Sequence, residues 1–331
     1  MTLRYALLAI LLHAGLIWSA DALLFEKGTQ LPWLRVDGKV ITDSTGRPVR
    51  LVGHGISPIN PGEWNKKSIQ KIVAQHKAKG LNSMRVAFYR NNDYDQTRDQ
   101  IKELGPEQFI DKWIEPQVFE IIRNGMYAIV DWHGYENQHD FLYSELIPLW
   151  VAIAKRYKNE PGVAIYELWN EPNCGGSSGA DSLRTWYKNA ITSIRKIDTQ
   201  HIIMVSDWNA GWGWAIEQMW APHGVLIDID PLTKKQIVYS KHMSAINERK
   251  GDGVDADNFS RKYDVPVFWG EVETDPNVNK ISILDQHVLF KEMVDRLLKN
   301  HLCQGVQFWR IYDDAFEIDW KPLVGAGCQW W

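Results

Sequence analysis

Eight short apolar runs recur along the chain: Leu51–Ser57, Asn82–Phe88, Tyr127–Trp132, Val163–Trp169, His201–Ser206, Gln236–Lys241, Val265–Gly270 and Gly305–Trp309. Between most of them the apolar positions follow a helical period instead. Lys67 to Lys79 sets Ile69, Ile72, Val73 and His76 on one face, and Leu146 to Tyr157 carries Leu149, Trp150, Ile153 and Ala154. Leu183 to Ile197 and Ile283 to Leu298 repeat the pattern. Runs that are apolar throughout belong to strands buried on both faces, and their alternation with amphipathic helices predicts a parallel sheet. Eight such units predict an α/β fold, a (β/α)8 TIM barrel. Upstream, the stretch Leu34 to Thr42 alternates around the pair Asp37-Gly38, a hairpin signal, and is expected to plug the bottom of the barrel. After the eighth run only about twenty residues remain, without clear periodicity, so the closing helix is expected to be short or missing.

The first residues read differently. Arg4, the apolar run Tyr5 to Trp18 and then Ala20-Asp21-Ala22 form the charged, apolar and small-residue regions of a secretory signal peptide. The run is short for a membrane span, which needs about twenty apolar residues. Residues 1–22 are therefore expected to be removed, leaving 23–331 as a single catalytic domain of a secreted protein; an uncleaved anchor is the alternative. Removal takes one basic residue (Arg4) and one acidic residue (Asp21), so the net charge stays at −4. A mildly acidic protein gains nothing from phosphate attraction, which argues against nucleic acid as a partner. A monomer is expected, with no membrane contact after cleavage.

The three cysteines, Cys174, Cys303 and Cys328, leave one unpaired if two are joined. A Cys303–Cys328 bridge would tie the chain end to the last strand, but connectivity is not readable from spacing. Nor does that spacing resemble a zinc site, so neither a metal nor a cofactor is expected. No linker or low-complexity tract interrupts the chain, which leaves no place for a separate binding module.

In such barrels chemistry sits at the C-terminal ends of the strands. Polar residues close nearly every run here: His54, Arg85, His133, Asn170 with Glu171, Asp207, His242 and Glu271, with Trp309 at the eighth. Two glutamates follow buried-looking strands, Glu171 within Trp169-Asn170-Glu171-Pro172 and Glu271 after Val265 to Gly270. Such a pair suits retaining glycosidic cleavage, with one acid and one carboxylate about 5 Å away to attack the anomeric carbon. The bland reading of Glu171 is a helix-capping carboxylate. For Glu271 the competitor is Glu273, two residues on. Glu167 would lie roughly 13 Å below Glu171 on an extended strand, and reads as a paired structural carboxylate.

Arg85 is expected to fix Glu271. Asn170 would meet a sugar 2-hydroxyl or merely form a turn. His133 and His242 are sugar or carboxylate partners or hydrogen-bonded core residues. His54 and Asp207 are weaker candidates for contact with substrate. The 17 tryptophans exceed what packing usually demands, and indole faces stack on sugar rings. Trp309 is the leading platform, followed by Trp208, Trp212 and Trp214. Trp113, Trp150 and Trp186 fall in helical patterns and read as core.

At these residues the chain resembles glycoside hydrolase family 5. The matching pieces are Val36 to Gly53, Asn82-Ser-Met-Arg-Val86, Val130-Asp-Trp-His133, Trp169-Asn-Glu-Pro172, Tyr239-Ser-Lys-His242, Pro266-Val-Phe-Trp-Gly-Glu271 and Phe308-Trp309. The resemblance implies Glu171 as acid/base and Glu271 as nucleophile. It also implies Arg85, His133, Asn170, His242 and Trp309 as the shell of the cleaved sugar. In one respect the chain departs from the family: Ser244 stands where a tyrosine usually bonds the nucleophile, so that bond must come from another residue or from water. The expectation is a retaining endo-β-1,4-glucanase acting on polysaccharide by double displacement, with endo-β-1,4-mannanase or another β-glycanase as the runner-up. A polysaccharide-binding protein that does not cut and a metal-dependent barrel hydrolase are the rival classes.

Overall fold

The eight apolar runs close into one ring. A computed structural model describes residues 31–56, 68–90, 98–134, 144–172, 177–206, 236–244, 252–273, 292, 296 and 303–309. The barrel strands are β3 (Leu51–Ile56), β4 (Ser83–Phe88), β5 (Tyr127–Trp132), β6 (Val163–Glu167), β7 (Ile202–Ser206), β8 (Ile237–Ser244), β9 (Val267–Glu273) and β10 (Cys303–Phe308). Around the ring the order is β10-β3-β4-β5-β6-β7-β8-β9, and every neighbouring pair is parallel. The fold is a (β/α)8 barrel.

Outside the ring lie α1 (Ile69–Ala78), α2 (Gln100–Phe109), α3 (Glu115–Arg123), α4 (Leu146–Tyr157), α5 (Ser177–Arg195) and α6 (Asp252–Tyr263). A single π-helical stretch, Ile110–Ile114, joins α2 to α3. Ser68 caps α1 by accepting from the Lys71 amide, which satisfies one of the amides that a helix start leaves open. The chain after the eighth strand, residues 310–331, and most of the expected 283–298 helix lie outside the described residues, as do residues 1–30.

Two apolar cores follow from the period-two alternation of the strands. One fills the layer between barrel and helices, where Met84, Val130, Tyr166 and Tyr239 meet Phe109, Trp150 and Phe259. Five of the 17 tryptophans, Trp132, Trp150, Trp169, Trp186 and Trp269, are buried there. Packing thus claims much of the indole that composition alone would assign to a sugar groove. The second core fills the lower barrel, where Leu51, Ile129, Ile202, Met204 and Phe268 meet Leu34, Val36 and Ile41.

Those last three residues belong to the hairpin of β1 (Leu34–Asp37) and β2 (Val40–Asp43). It seals the N-terminal ends of the strands. Gln236 accepts from the Val36 amide at 3.0 Å, Gln304 accepts from the Ile41 amide at 2.9 Å, and the Tyr127 hydroxyl donates to Pro32 O at 2.8 Å. Side chains at three strand starts therefore pair the hairpin's backbone groups, which burial would otherwise leave costly.

Candidate active site

At the opposite end the barrel interior changes character. Arg85, Asp131, Glu167, Asn170, His133, His242 and Glu271 are all buried there, and Glu171 is half-buried. Arg85 enters because Ser83 and Arg85 alternate inward while Met84, Val86 and Phe88 pack outward. Its guanidinium then organises the upper barrel. Nε donates to Glu167 Oε2 at 2.5 Å, Nη2 to Glu167 Oε1 at 3.0 Å, and Nη1 to Glu271 Oε1 at 2.7 Å. Nη2 also donates to Asn170 Oδ1 and lies 3.1 Å from Asp131 Oδ2. With its oxygen so engaged, the Asn170 amide has its N–H2 group left to meet a hydroxyl.

One cation thus faces three buried carboxylates, and the imbalance shows in proton affinities. Burial, only partly offset by Arg85, pushes both Asp131 and Glu167 up to about 7. The proton affinity of Arg85 rises too: burial disfavours its charge, but Asp131, Glu167 and Glu271 outweigh that.

Glu271 reaches this cage through a bulge. Strict alternation would turn it outward with Trp269, which packs in the helical layer. Across β8 and β9 the register runs Lys241 to Trp269 and then His242 to Glu271, so Gly270 is the extra residue. A bulge of this kind re-aims the next side chain. Glycine suits the crowding there: a Cβ on Gly270 would stand 2.2 Å from Ser240 Oγ, so any larger residue would force that side chain to move. The seventh strand accordingly runs three residues beyond its expected end, to Glu273. The Glu273 side chain lies outside the described residues.

Glu171 stands just past β6, on chain held to the neighbouring rim. The Asn170 amide donates to Trp132 O at 2.9 Å and the Glu171 amide to Gly134 O at 3.2 Å. Glu171 Oε1 meets His242 Nδ1 at 2.7 Å, and the same ring nitrogen lies 3.8 Å from Glu271 Oε2. Burial works against a charge on His242, but Glu271 and Glu171 outweigh it, and its proton affinity rises. One ligating atom from each of Glu171, His242 and Glu271 lies within 4.8 Å of the others, so the two carboxylates face each other across that gap. These three are also the grouping, among the described residues, that could hold a metal ion.

His133 completes the wall. Its Nδ1 bonds Asp131 Oδ2 at 2.7 Å, and its Nε2 lies 3.5 Å from Glu271 Oε1. Trp309 stacks on the ring at 4.5 Å and 17°. Trp309 can lie there because β3 carries glycine beneath it: a Cβ on Gly55 would stand 2.9 Å from the indole.

Seven residues singled out from sequence therefore converge: Arg85, His133, Asn170, Glu171, His242, Glu271 and Trp309. His54 does not. It shares the outward parity of Val52 and packs against His76 of α1, ring centroids 5.1 Å apart. Trp208, Trp212, Trp214, Asp207, Cys174 and Cys328 lie outside the described residues. Glu167 is a paired carboxylate as expected, and β6 ends on it. It sits one guanidinium away from Glu271. Asp131 was missed. Its signal was parity, because Tyr127, Ile129, Asp131 and His133 all fall on the inward face of β5.

A cellulase family model, glycosyl hydrolase family 5, matches residues 42–295. The chain belongs to this family. An endoglucanase of Clostridium saccharobutylicum is 25% identical over 274 residues, covering 78% of this chain and 53% of that protein. Mannan endo-1,4-beta-mannosidase 1 of Arabidopsis thaliana is 22% identical over 204 residues, covering 52% of this chain and 49% of its own length. This family member thus spans about half the length of the curated relatives it matches. The catalytic domain of Thermobifida fusca endoglucanase superposes with a TM-score of 0.61 at 21% identity, covering 85% of each chain, and shares the fold. No helix among the described residues is long and apolar enough to cross a membrane.

Proposed function

We propose that the protein is a secreted, retaining endo-β-1,4-glucanase in which Glu271 is the nucleophile and Glu171 the acid/base. The observation that carries this reading is the gap between the two carboxylates, whose nearest ligating atoms lie within 4.8 Å. Retaining glycosidases hold their carboxyl groups about 5 Å apart, whereas inverting ones leave about 6.5–9.5 Å for a water. Glu271 attacks the anomeric carbon while Glu171 delivers a proton to the departing glycosidic oxygen. The proton that Glu171 needs is close by, since His242 lies at hydrogen-bond distance. Once the glycosyl–Glu271 ester forms, Glu171 takes a proton from water, and that water displaces Glu271 from the sugar.

Arg85 does for Glu271 what the family tyrosine absent at Ser244 would otherwise do, donating to its Oε1 at 2.7 Å. The Asn170 N–H2 group meets the sugar 2-hydroxyl, and Trp309 supplies an aromatic edge at the rim. Endoglucanases among the relatives support a glucan substrate. The mannosidase relative supports mannan as the second reading, and the two sugars differ at the 2-hydroxyl that Asn170 would meet.

The test is a substrate panel of carboxymethyl cellulose, glucomannan, galactomannan, xyloglucan and xylan, with products sized over time and the first anomer read by proton NMR. Glucan cleavage to mid-length products with the β-anomer appearing first is the expected result. A first-formed α-anomer would overturn retention, and cleavage of galactomannan alone would move the substrate to mannan.

A further inference from the structure

Asp131 is, with Glu167, one of two buried cage carboxylates that the proposed chemistry leaves unused. It lies two residues before His133 on the inward face of β5, fully buried. Its Oδ2 lies 2.7 Å from His133 Nδ1 and 3.1 Å from the Arg85 Nη2 donor, while Oδ1 meets no partner among the described residues. Because the Arg85 N–H already points at Oδ2, a proton taken up by Asp131 belongs on Oδ1, which leaves Oδ2 able to accept from the histidine whether or not the acid is charged. The imidazole plane is fixed by other contacts, with Trp309 stacked at 17° and Tyr89 edge-on at 5.1 Å. Around the same ring stand Arg85, Glu167, Glu171 and Glu271. Burial pushes His133 down to about 4, so near neutral pH it carries one ring proton.

We propose that Asp131 is a positioning residue that holds His133 in its Nδ1–H tautomer, so that Nε2 offers a lone pair to a substrate hydroxyl instead of a proton to Glu271. A histidine's free nitrogen is set by the bond its other nitrogen makes. Here Nε2 and Glu271 Oε1 face each other at 3.5 Å with no proton between them, and a hydroxyl donor entering from the rim satisfies the nitrogen. Were the tautomer reversed, Nε2–H would donate to Glu271 and blunt its attack. The role as a sugar contact rests on the glycosidase reading; the tautomer does not.

The experiment reads the two separately. In 15N-labelled protein at pH 7, with His133 assigned by loss of its signals in His133→Gln, Nδ1 is expected to resonate as protonated and Nε2 as unprotonated. A protonated Nε2 in the unaltered protein overturns the proposal, and this measurement needs no variant at Asp131 to fold. Asp131→Ala removes the acceptor and is expected to move the proton to Nε2 and lower kcat on the cleaved glycan on the order of tenfold or more. Asp131→Asn keeps an oxygen in place and is expected to restore the Nδ1–H tautomer and most of kcat. A fall in kcat for Asp131→Ala with the tautomer unchanged would reduce Asp131 to packing. If the unaltered protein cleaves no β-glycan, the functional reading fails while the NMR result still decides the tautomer.

Discussion

The lower and upper halves of the barrel interior are built from the same eight strands by opposite means. Below, Leu51, Ile129, Met204, Val238 and Phe268 close over the hairpin's Leu34, Val36 and Ile41, and area removed from water holds them together. Above, Arg85 is ringed by Asp131, Glu167 and Glu271, a cluster whose desolvation is costly and whose stability depends on every partner being present. The lower half anchors the strands; the upper half is strung between them and fixes where two carboxylates face each other. Loss of a side chain below should thus lower stability alone, and loss above should lower stability and chemistry together.

Arg85→Leu should have the largest effect. It strands three buried carboxylates, and about 3–5 kcal/mol of stability is expected to go, with turnover lost as well. Denaturant unfolding and assay of the soluble fraction check both. Near-native turnover in this variant would break the contrast between the halves. Ile41→Ala, in the fully buried hairpin plug, should cost about 2–4 kcal/mol through the cavity it leaves, while kcat per folded molecule stays within about twofold. A large kcat loss there would show that the two halves are coupled.

A smaller effect is expected from pH. Asp131 and Glu167, raised to about 7, bind protons in the folded state at pH values where the unfolded chain has released them. They therefore contribute less stability as pH rises through 7. His242, also raised, adds stability that is present below its unfolded value and lost as pH climbs through the folded one. His133, lowered to about 4, works the other way between its unfolded value and 4. Three groups outweigh one. The melting temperature should fall by at least about 2 °C between pH 6 and pH 8, and a rise would contradict the charge balance drawn for the cage.

How far the sequence reached differs between the halves for a physical reason. The apolar runs and the Asp37-Gly38 hairpin follow local periodicity, so strand order, barrel closure and the plug were all legible. The convergence of seven residues on one rim was legible too, because strand ends could be located within a few positions. The bulge at Gly270 was not, since it arises from pairing with β8 and no local pattern marks it. Without it, parity sends Glu271 outward. Asp131 escaped notice because its contact with the cage comes through a partner, Arg85, on another strand, although its parity with His133 was open to view. The tryptophan count alone was no guide, but the helical pattern placed Trp150 and Trp186 in the helical layer, where they are buried, and the strand end placed Trp309 at the rim.

Glu271, as the group proposed to attack the sugar, carries the retaining reading. An activated 2-deoxy-2-fluoro-β-cellobioside, incubated with the protein and followed by peptide mass spectrometry, tests this directly, because the fluorine slows release of the glycosyl intermediate. A single label, esterified to the side-chain carboxylate of Glu271 and absent in Glu271→Ala, is the predicted result. A label on Glu273, or full turnover in Glu271→Ala, would contradict it.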